Sequence, residues 1–287
     1  MLSLPRFKLT LEYAGTRYSG WQIQKNAKTV QGEIDRAVRT VTGRKDFELY
    51  GSGRTDAGVH ALGQVAHLDV STSLHAEALR RRLNDELPAD INLLEAVQVP
   101  HRFHARHHAV ARRYLYQIAR RRTAFAKAYV WWVKEPLDTG LMRDAALAFV
   151  GMRDFRSFAA SDARDDDEAP PSTVVLVERL DIFDDGDLVL VSIQGSHFLW
   201  KMVRRMVGVL VEIGKGAMPP AAIRTILRDG STAPARLTAP PSGLFLEAVF
   251  YDGDVQGTPP RAATPLPAPR RMSPSEGRPP NRARPVR

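Results

Sequence analysis

The sequence predicts an α+β fold of two related halves, each a mainly antiparallel sheet with helices on one face, with a cleft between the halves. Three observations carry that prediction. Period-2 and helical hydrophobic spacing alternate in the order β-α-β-β-α-β over residues 7–99. A similar alternation recurs over residues 113–251. The composition, 44% hydrophobic and 25% charged, is that of an ordinary globular chain able to bury a core.

In the first half, Phe7, Leu9, Leu11 and Tyr13 alternate with Lys8, Thr10 and Glu12, the pattern of a half-buried strand. Val30, Ile34, Ala37, Val38 and Val41 follow at helical spacing. Strands are expected at 47–50 and 64–70, a helix at 74–86 and a strand at 91–99. In the second half the pattern gives a strand at 113–119, a helix at 138–150, strands at 174–182 and 188–194, helices at 197–214 and 220–229, and a closing strand at 244–251. Each sheet would keep its helix-free face open to a ligand. The boundaries that follow are 1–102 and 103–252 for the halves and 253–287 for a tail. Residues 162–172, with four consecutive acids and two prolines, read as an exposed loop, and no short-period repeat suggests a solenoid or propeller.

Composition narrows the function further. The 287 residues include no cysteine, which excludes disulfides, thiolate nucleophiles, iron–sulfur clusters and cysteine-bound zinc, and fits a reducing compartment. No stretch approaches the roughly 20 apolar residues of a membrane span. Pro5, Arg6 and Lys8 stand where a signal peptide would be apolar, so a cytoplasmic protein is expected. The net charge of +9 is unevenly placed. Residues 253–287 hold seven Arg against two acids, nine prolines and no aromatic residue, and read as a disordered basic tail. Residues 101–134 hold nine Lys and Arg, four His and no acid, a single-signed stripe that suggests a polyanionic partner.

The run with most chemistry is Gly51-Ser52-Gly53-Arg54-Thr55-Asp56-Ala57-Gly58-Val59-His60, between two expected strands. It is not a dinucleotide fingerprint, because Asp56 stands where the last glycine would be, and it is not a P-loop, because no Gly-Lys-Ser/Thr follows. Taken alone, Asp56 is as well read as an aspartate closing a turn on its own backbone as a catalytic carboxylate. The loop, with Gly63-Gln64-Val65, closely resembles the signature of the TruA family of tRNA pseudouridine synthases. Tyr13 to Gln22 resembles the family's amino-terminal block. Phe103-His104-Ala105-Arg106 and Ala111-Arg112-Arg113-Tyr114-Leu115-Tyr116 resemble its second motif. Phe198, Met202-Val203-Arg204 and Val207-Gly208 resemble the third, and Gly243 to Leu246 the closing strand. The resemblance covers about residues 7–252 in order, and the tail has no counterpart.

That resemblance implies an isomerase that converts uridine to pseudouridine in the anticodon stem-loop of tRNA, at positions 38 to 40, in an RNA cleft, as a homodimer and without cofactor or metal. Breaking the N1–C1′ bond builds positive charge on the ribose, which a carboxylate can stabilise or trap. By resemblance Asp56 is that nucleophile, Arg204 is the guanidinium that holds it, and Tyr114 stacks on the released uracil and helps remove the C5 proton. Arg54, from the same loop, could fill the space a flipped base leaves or clamp its phosphate. On helical spacing His197, Lys201, Arg204 and Gly208 would share one site-facing stripe, opposite the apolar set Phe198, Met202, Met206, Val209, Leu210 and Ile213. Tyr116 is expected in the core. His104, His107 and His108 are expected along the RNA path rather than around a metal, since no carboxylate is near. The rival readings are a catalytically silent RNA-binding protein of the same fold and an Asp56-dependent hydrolase.

Overall fold

Phe7, Leu9, Leu11 and Tyr13 are all buried on one side of the first strand, β1 (Arg6–Tyr13), as their period requires. The computed structural model describes residues 4–160, 172–257 and 259–266, so the acidic 162–171 stretch lies outside the described residues. Helix α1 (Val30–Thr42) is capped by the Thr29 hydroxyl, which accepts from the Gly32 N–H, and buries Val30, Ile34, Ala37 and Val38. Strands β2 (Glu48–Gly51) and β3 (His60–Asp69) pair antiparallel, with β3 also on β1. Helix α2 (Ala76–Glu86) starts two residues later than expected, because His75 Nδ1 accepts the Ala78 N–H and caps it. Strand β4 (Ile91–Val99) closes this half at the expected residues.

The second half runs β5 (Ala111–Ala119), the two-residue β6 (Trp131–Trp132), α3 (Thr139–Ala146), the short β7 (Gly151–Asp154), β8 (Val174–Asp185) and β9 (Leu188–Gly195). It continues with α4 (Met202–Gly214), α5 (Ala222–Asp229), the one-turn α6 (Ala233–Arg236) and β10 (Leu244–Phe250). The helix expected at 138–150 stops at Ala146 and tightens into a 3-10 turn at Leu147–Phe149. None of the helices among the described residues is long and apolar enough to cross a membrane.

The expectation of two separate sheets is corrected. All ten strands form one sheet, in the order β4-β1-β3-β10-β5-β9-β8-β7, with β2 and β6 as side pairings. The closing strand joins the halves. β10 is inserted between β3, to which it runs parallel (Phe245 opposite His60, Leu246 opposite Ala61), and β5, to which it runs antiparallel. Leu244 and Leu246 point to the same side of β10. Leu244 belongs to the core under α3, α4 and α5, and Leu246 to the core under α1 and α2. The helices of both halves therefore share one face, and Tyr114 packs against both cores at their seam.

The opposite face is not left open either. Leu115, Ala119, Leu188, Leu190 and Phe245 form a third cluster there, covered by Tyr129, Ala126 and Val130 and by Ala262, Ala263 and Leu266 of the segment expected to be disordered. That segment is held by polar bonds as well. Gln117 Oε1 accepts the Ala263 N–H at 2.7 Å, and Gln117 Nε2 donates to the Thr264 hydroxyl at 3.0 Å. Residues 267–287 lie outside the described residues. A chain ending at Gly253 should therefore melt several degrees below one ending at Leu266. Uncovering this cluster costs about 1–3 kcal/mol, and about 2–4 °C follows each kcal/mol at this size. Equal melting temperatures in calorimetry would show that the docked segment adds nothing.

Candidate active site

The loop between β2 and β3 is fastened on both sides by buried polar groups. The Ser52 N–H donates to Val65 O at 2.7 Å, and its hydroxyl donates to Gln64 Oε1 at 2.8 Å. Gln64 Nε2 in turn donates to Gly53 O at 3.1 Å. The hydroxyls of Tyr13 and Thr55 lie 2.8 Å apart, and Thr55 O accepts the Trp21 N–H at 3.1 Å. Burial pushes the Tyr13 phenol up, so it stays a neutral hydrogen-bonding group. His60, at the end of the loop, accepts the Gly15 N–H at Nδ1 (3.0 Å), which leaves Nε2 to carry the proton and donate to Ala128 O at 3.1 Å. Burial lowers its pKa, in keeping with the neutral ring that both bonds need. A loop this well bonded presents its remaining side chains from a fixed backbone.

Asp56 is one of those remaining side chains. Arg204, on the first turns of α4, donates from Nη1 to Asp56 Oδ2 at 3.1 Å, and the two side chains are 13% and 22% exposed. Asp56 Oδ1 makes no bond to the described residues. Arg204 is itself aimed by the chain before β10: its Nε donates to Ala239 O at 2.7 Å, and the Ala239 N–H donates back to Arg204 O at 3.1 Å. The backbone can come this close because residue 208 is glycine, since a β-carbon there would lie 1.6 Å from Leu237 O. Gly208 thus seats a backbone segment rather than facing the site.

Tyr114 projects from β5 beside this pair. Its ring meets Phe198 edge-on at 5.2 Å, and its pKa is pushed up to about 12 by burial first and by the Asp56 charge second, with Arg112 opposing. Tyr116, two residues on, is fully buried against Trp131 and donates its hydroxyl to Pro240 O at 2.8 Å, the core position expected for it. Arg54 stands exposed on the same loop as Asp56.

The stripe expected along the fourth helix does not form. Lys201 has a left-handed backbone (φ 60°), so α4 begins only at Met202. His197 lies in the irregular chain before the helix, its Nδ1 3.1 Å from the Ser196 hydroxyl, and only Arg204 of the four reaches Asp56. What the sequence reading missed is the Ala239-Pro240-Pro241 segment. It positions Arg204 through Ala239, receives Tyr116 through Pro240 and packs Pro241 against Gly58. Its only signal was a proline pair ahead of the closing strand, with no polar side chain to draw notice.

The basic stripe is single-signed in sequence but not in space. Arg113 is paired with Glu247, Arg120 with Asp184 and Arg121 with Asp187, while Arg112 donates to the backbone carbonyls of Ser52, Arg106, Ala109 and Ser196. Arg102, Arg106, Arg122, Lys127 and Lys134 remain exposed. His104 is a turn hub, its Nδ1 accepting the N–H groups of Arg106 and His107, and it packs against His67 and Tyr50. His107 and His108 are exposed.

Gly20 completes the cradle. Its φ is +98°, and a β-carbon would sit 2.6 Å from Thr55 O and 3.2 Å from the Asp56 carbonyl carbon. Gly20→Ala should cost about 2 kcal/mol or more, lowering the melting temperature by several degrees. Because the displaced backbone carries Asp56, turnover should fall at least tenfold. Unchanged melting and turnover would mean that the loop is not held by this contact.

Comparison with known proteins accounts for the arrangement. A family model described as tRNA pseudouridine synthase matches residues 10–108 and 145–252. A protein of Geotalea uraniireducens (strain Rf4) named tRNA pseudouridine synthase A is 41% identical over 248 residues, covering 86% of this chain and 99% of that one. Proteins of the same name from Syntrophotalea carbinolica (43% over 246 residues; 85% and 95% covered) and Myxococcus xanthus (39% over 259 residues; 89% and 96% covered) match as fully. Loop, helix and closing strand all fall inside the matched span, and the chain belongs to the tRNA pseudouridine synthase family.

Proposed function

We propose that the chain isomerises uridine to pseudouridine in the anticodon stem-loop of tRNA, at positions 38 to 40, with Asp56 as the nucleophile. The observation that carries this is the Asp56–Arg204 bond, which engages Oδ2 and leaves Oδ1 without a partner among the described residues. Arg204 orients the carboxylate, and the unengaged oxygen can meet the positive charge that develops at C1′ as the N1–C1′ bond breaks. The uracil turns, C5 bonds to C1′, the C5 proton leaves and N1 takes one up. Atoms and electrons balance with no oxidant or energy source.

Tyr114 forms the wall on which the freed base can stack. With a pKa near 12 its phenol is neutral at physiological pH, so it can take the C5 proton only while surrendering its own, and the Asp56 carboxylate beside it is the group to receive that proton. Arg54, exposed on the same loop, can fill the gap left by the flipped uridine or clamp its phosphate. The exposed cations of residues 101–134 supply phosphate contacts. A tRNA is larger than the face one chain presents, so a two-fold homodimer would let one subunit supply the pocket and its partner part of the basic surface.

Asp56→Asn should abolish tritium release from C5-labelled uridine in tRNA while affinity for tRNA stays within a few-fold, because the carboxylate acts on the ribose and the phosphate contacts carry binding. Tyr114→Phe should bind equally and turn over far more slowly, since the ring is kept and the hydroxyl lost. Retained turnover in Asp56→Asn would remove Asp56 from this role, and near-normal rates in Tyr114→Phe would leave that residue as a stacking platform alone. Light scattering should give a mass of about twice 31.9 kDa. A fully active monomer at micromolar concentration would refute the dimer.

A further inference from the structure

The two helices of the first half neutralise their own arginines, with one local exception. Arg36 is paired with Glu33 and Glu86, Arg39 with Asp35, and Arg80 and Arg81 with Glu77. Arg44, just past the end of α1, and Arg82, on α2, have no carboxylate partner among the described residues. These two line one open cleft of about 330 Å³, together with the hydroxyl-bearing Thr42, Ser71, Thr72 and Ser73. Arg44 Nη2 already lies 3.5 Å from the Ser71 hydroxyl. Offsetting the negative end of the α1 dipole accounts for part of Arg44, but no such reason applies to Arg82 in the middle of its helix.

We infer that this cleft binds a phosphodiester of the tRNA backbone at a distance from the reacting uridine. Two guanidinium forks and a rim of hydroxyls suit phosphate oxygens, and no carboxylate lines the cleft to repel them. Position makes the substrate itself the source of that phosphate. The Asp56 loop leads into His60 at one end of β3, whereas Ser71 to Ser73 follow Asp69 at the other, so roughly 30 Å of strand separates the two sites. Both lie toward the helix-bearing face, since α1 and α2 cover the side of β1 from which Tyr13 reaches Thr55. Such a contact touches phosphate and carries no base readout, so it holds the body of the tRNA rather than selecting the uridine.

The test compares a full-length tRNA transcript with its isolated anticodon stem-loop, and it rests on that stem-loop being the target. Turnover of the stem-loop by the parent protein reports on the target independently. The double variant Arg44→Gln/Arg82→Gln should bind full-length tRNA about tenfold more weakly at 0.15 M salt, with the slope of log affinity against log salt reduced by about two. Affinity for the stem-loop, maximal turnover with saturating tRNA and melting temperature should stay at parent values. Arg81→Gln, which removes a paired charge from the same helix, should leave both affinities unchanged. Equal weakening toward both RNAs, no weakening toward either, or the same loss in Arg81→Gln would overturn the inference. So would a double variant that binds both RNAs normally but loses a rise in melting temperature that millimolar inorganic phosphate gives the parent, because the cleft would then serve a free anion.

Discussion

The candidate site depends on one bond made across 148 positions of chain, from Arg204 on α4 to Asp56 in the loop before β3. Each partner belongs to a different half with its own hydrophobic core, so the bond forms only when the halves are in register. Strand β10 provides that register. Inserted between β3 and β5, it fixes the strand that follows the Asp56 loop against the strand that carries Tyr114. The backbone leading into β10 bonds Arg204 directly through Ala239. The last strand among the described residues therefore sets both the seam and the guanidinium.

A second constraint is the cost of leaving polar groups unsatisfied near the seam. Tyr13, Ser52, Thr55, His60 and Gln64 are all buried, and each finds a partner within hydrogen-bonding distance. Such a network makes a small net contribution to stability, but removing one member strands another, so the loop has essentially one satisfied arrangement. Asp56 is left out of that network. Among the described residues its side chain bonds only Arg204, which fixes its direction through Oδ2.

The elements were legible because their patterns are local. The alternation at Phe7 to Tyr13 and the helical spacing from Val30 to Val38 each record one neighbourhood of chain, and β4 falls at its expected residues. Asp56, Tyr114 and Arg204 stood out through the family's motifs, and the structure brings these three together while leaving Arg54 at the exposed rim. What stayed hidden was long-range. No periodicity says that residues 244–250 pair parallel with β3 and fuse two sheets into one. No propensity places Lys201 in a left-handed turn that removes His197 from the helix. The proline-rich composition after Gly253 reads as disorder, yet Ala263 and Thr264 find Gln117 on the sheet. The carboxylates of Glu247, Asp184 and Asp187 lie over sixty residues from the arginines they pair with, so the stripe at 101–134 looked more basic in sequence than it is in the fold.

That cancellation changes how charge can serve this enzyme. A uniformly basic surface would attract any RNA, with affinity that falls steeply as salt rises and little sense of shape. Here Glu247, Asp184 and Asp187 each pair with an arginine of residues 101–134, while five cations of that stretch and a guanidinium pair at the far end of β3 stay exposed. On the proposed RNA contacts, few and widely spaced cations reward a ligand whose phosphates match that spacing. The seam, by contrast, gathers Asp56, Arg204 and Tyr114 in one place. Under the proposed function, dividing the work in this way separates the phosphate contacts that hold the RNA from the carboxylate that acts on the ribose.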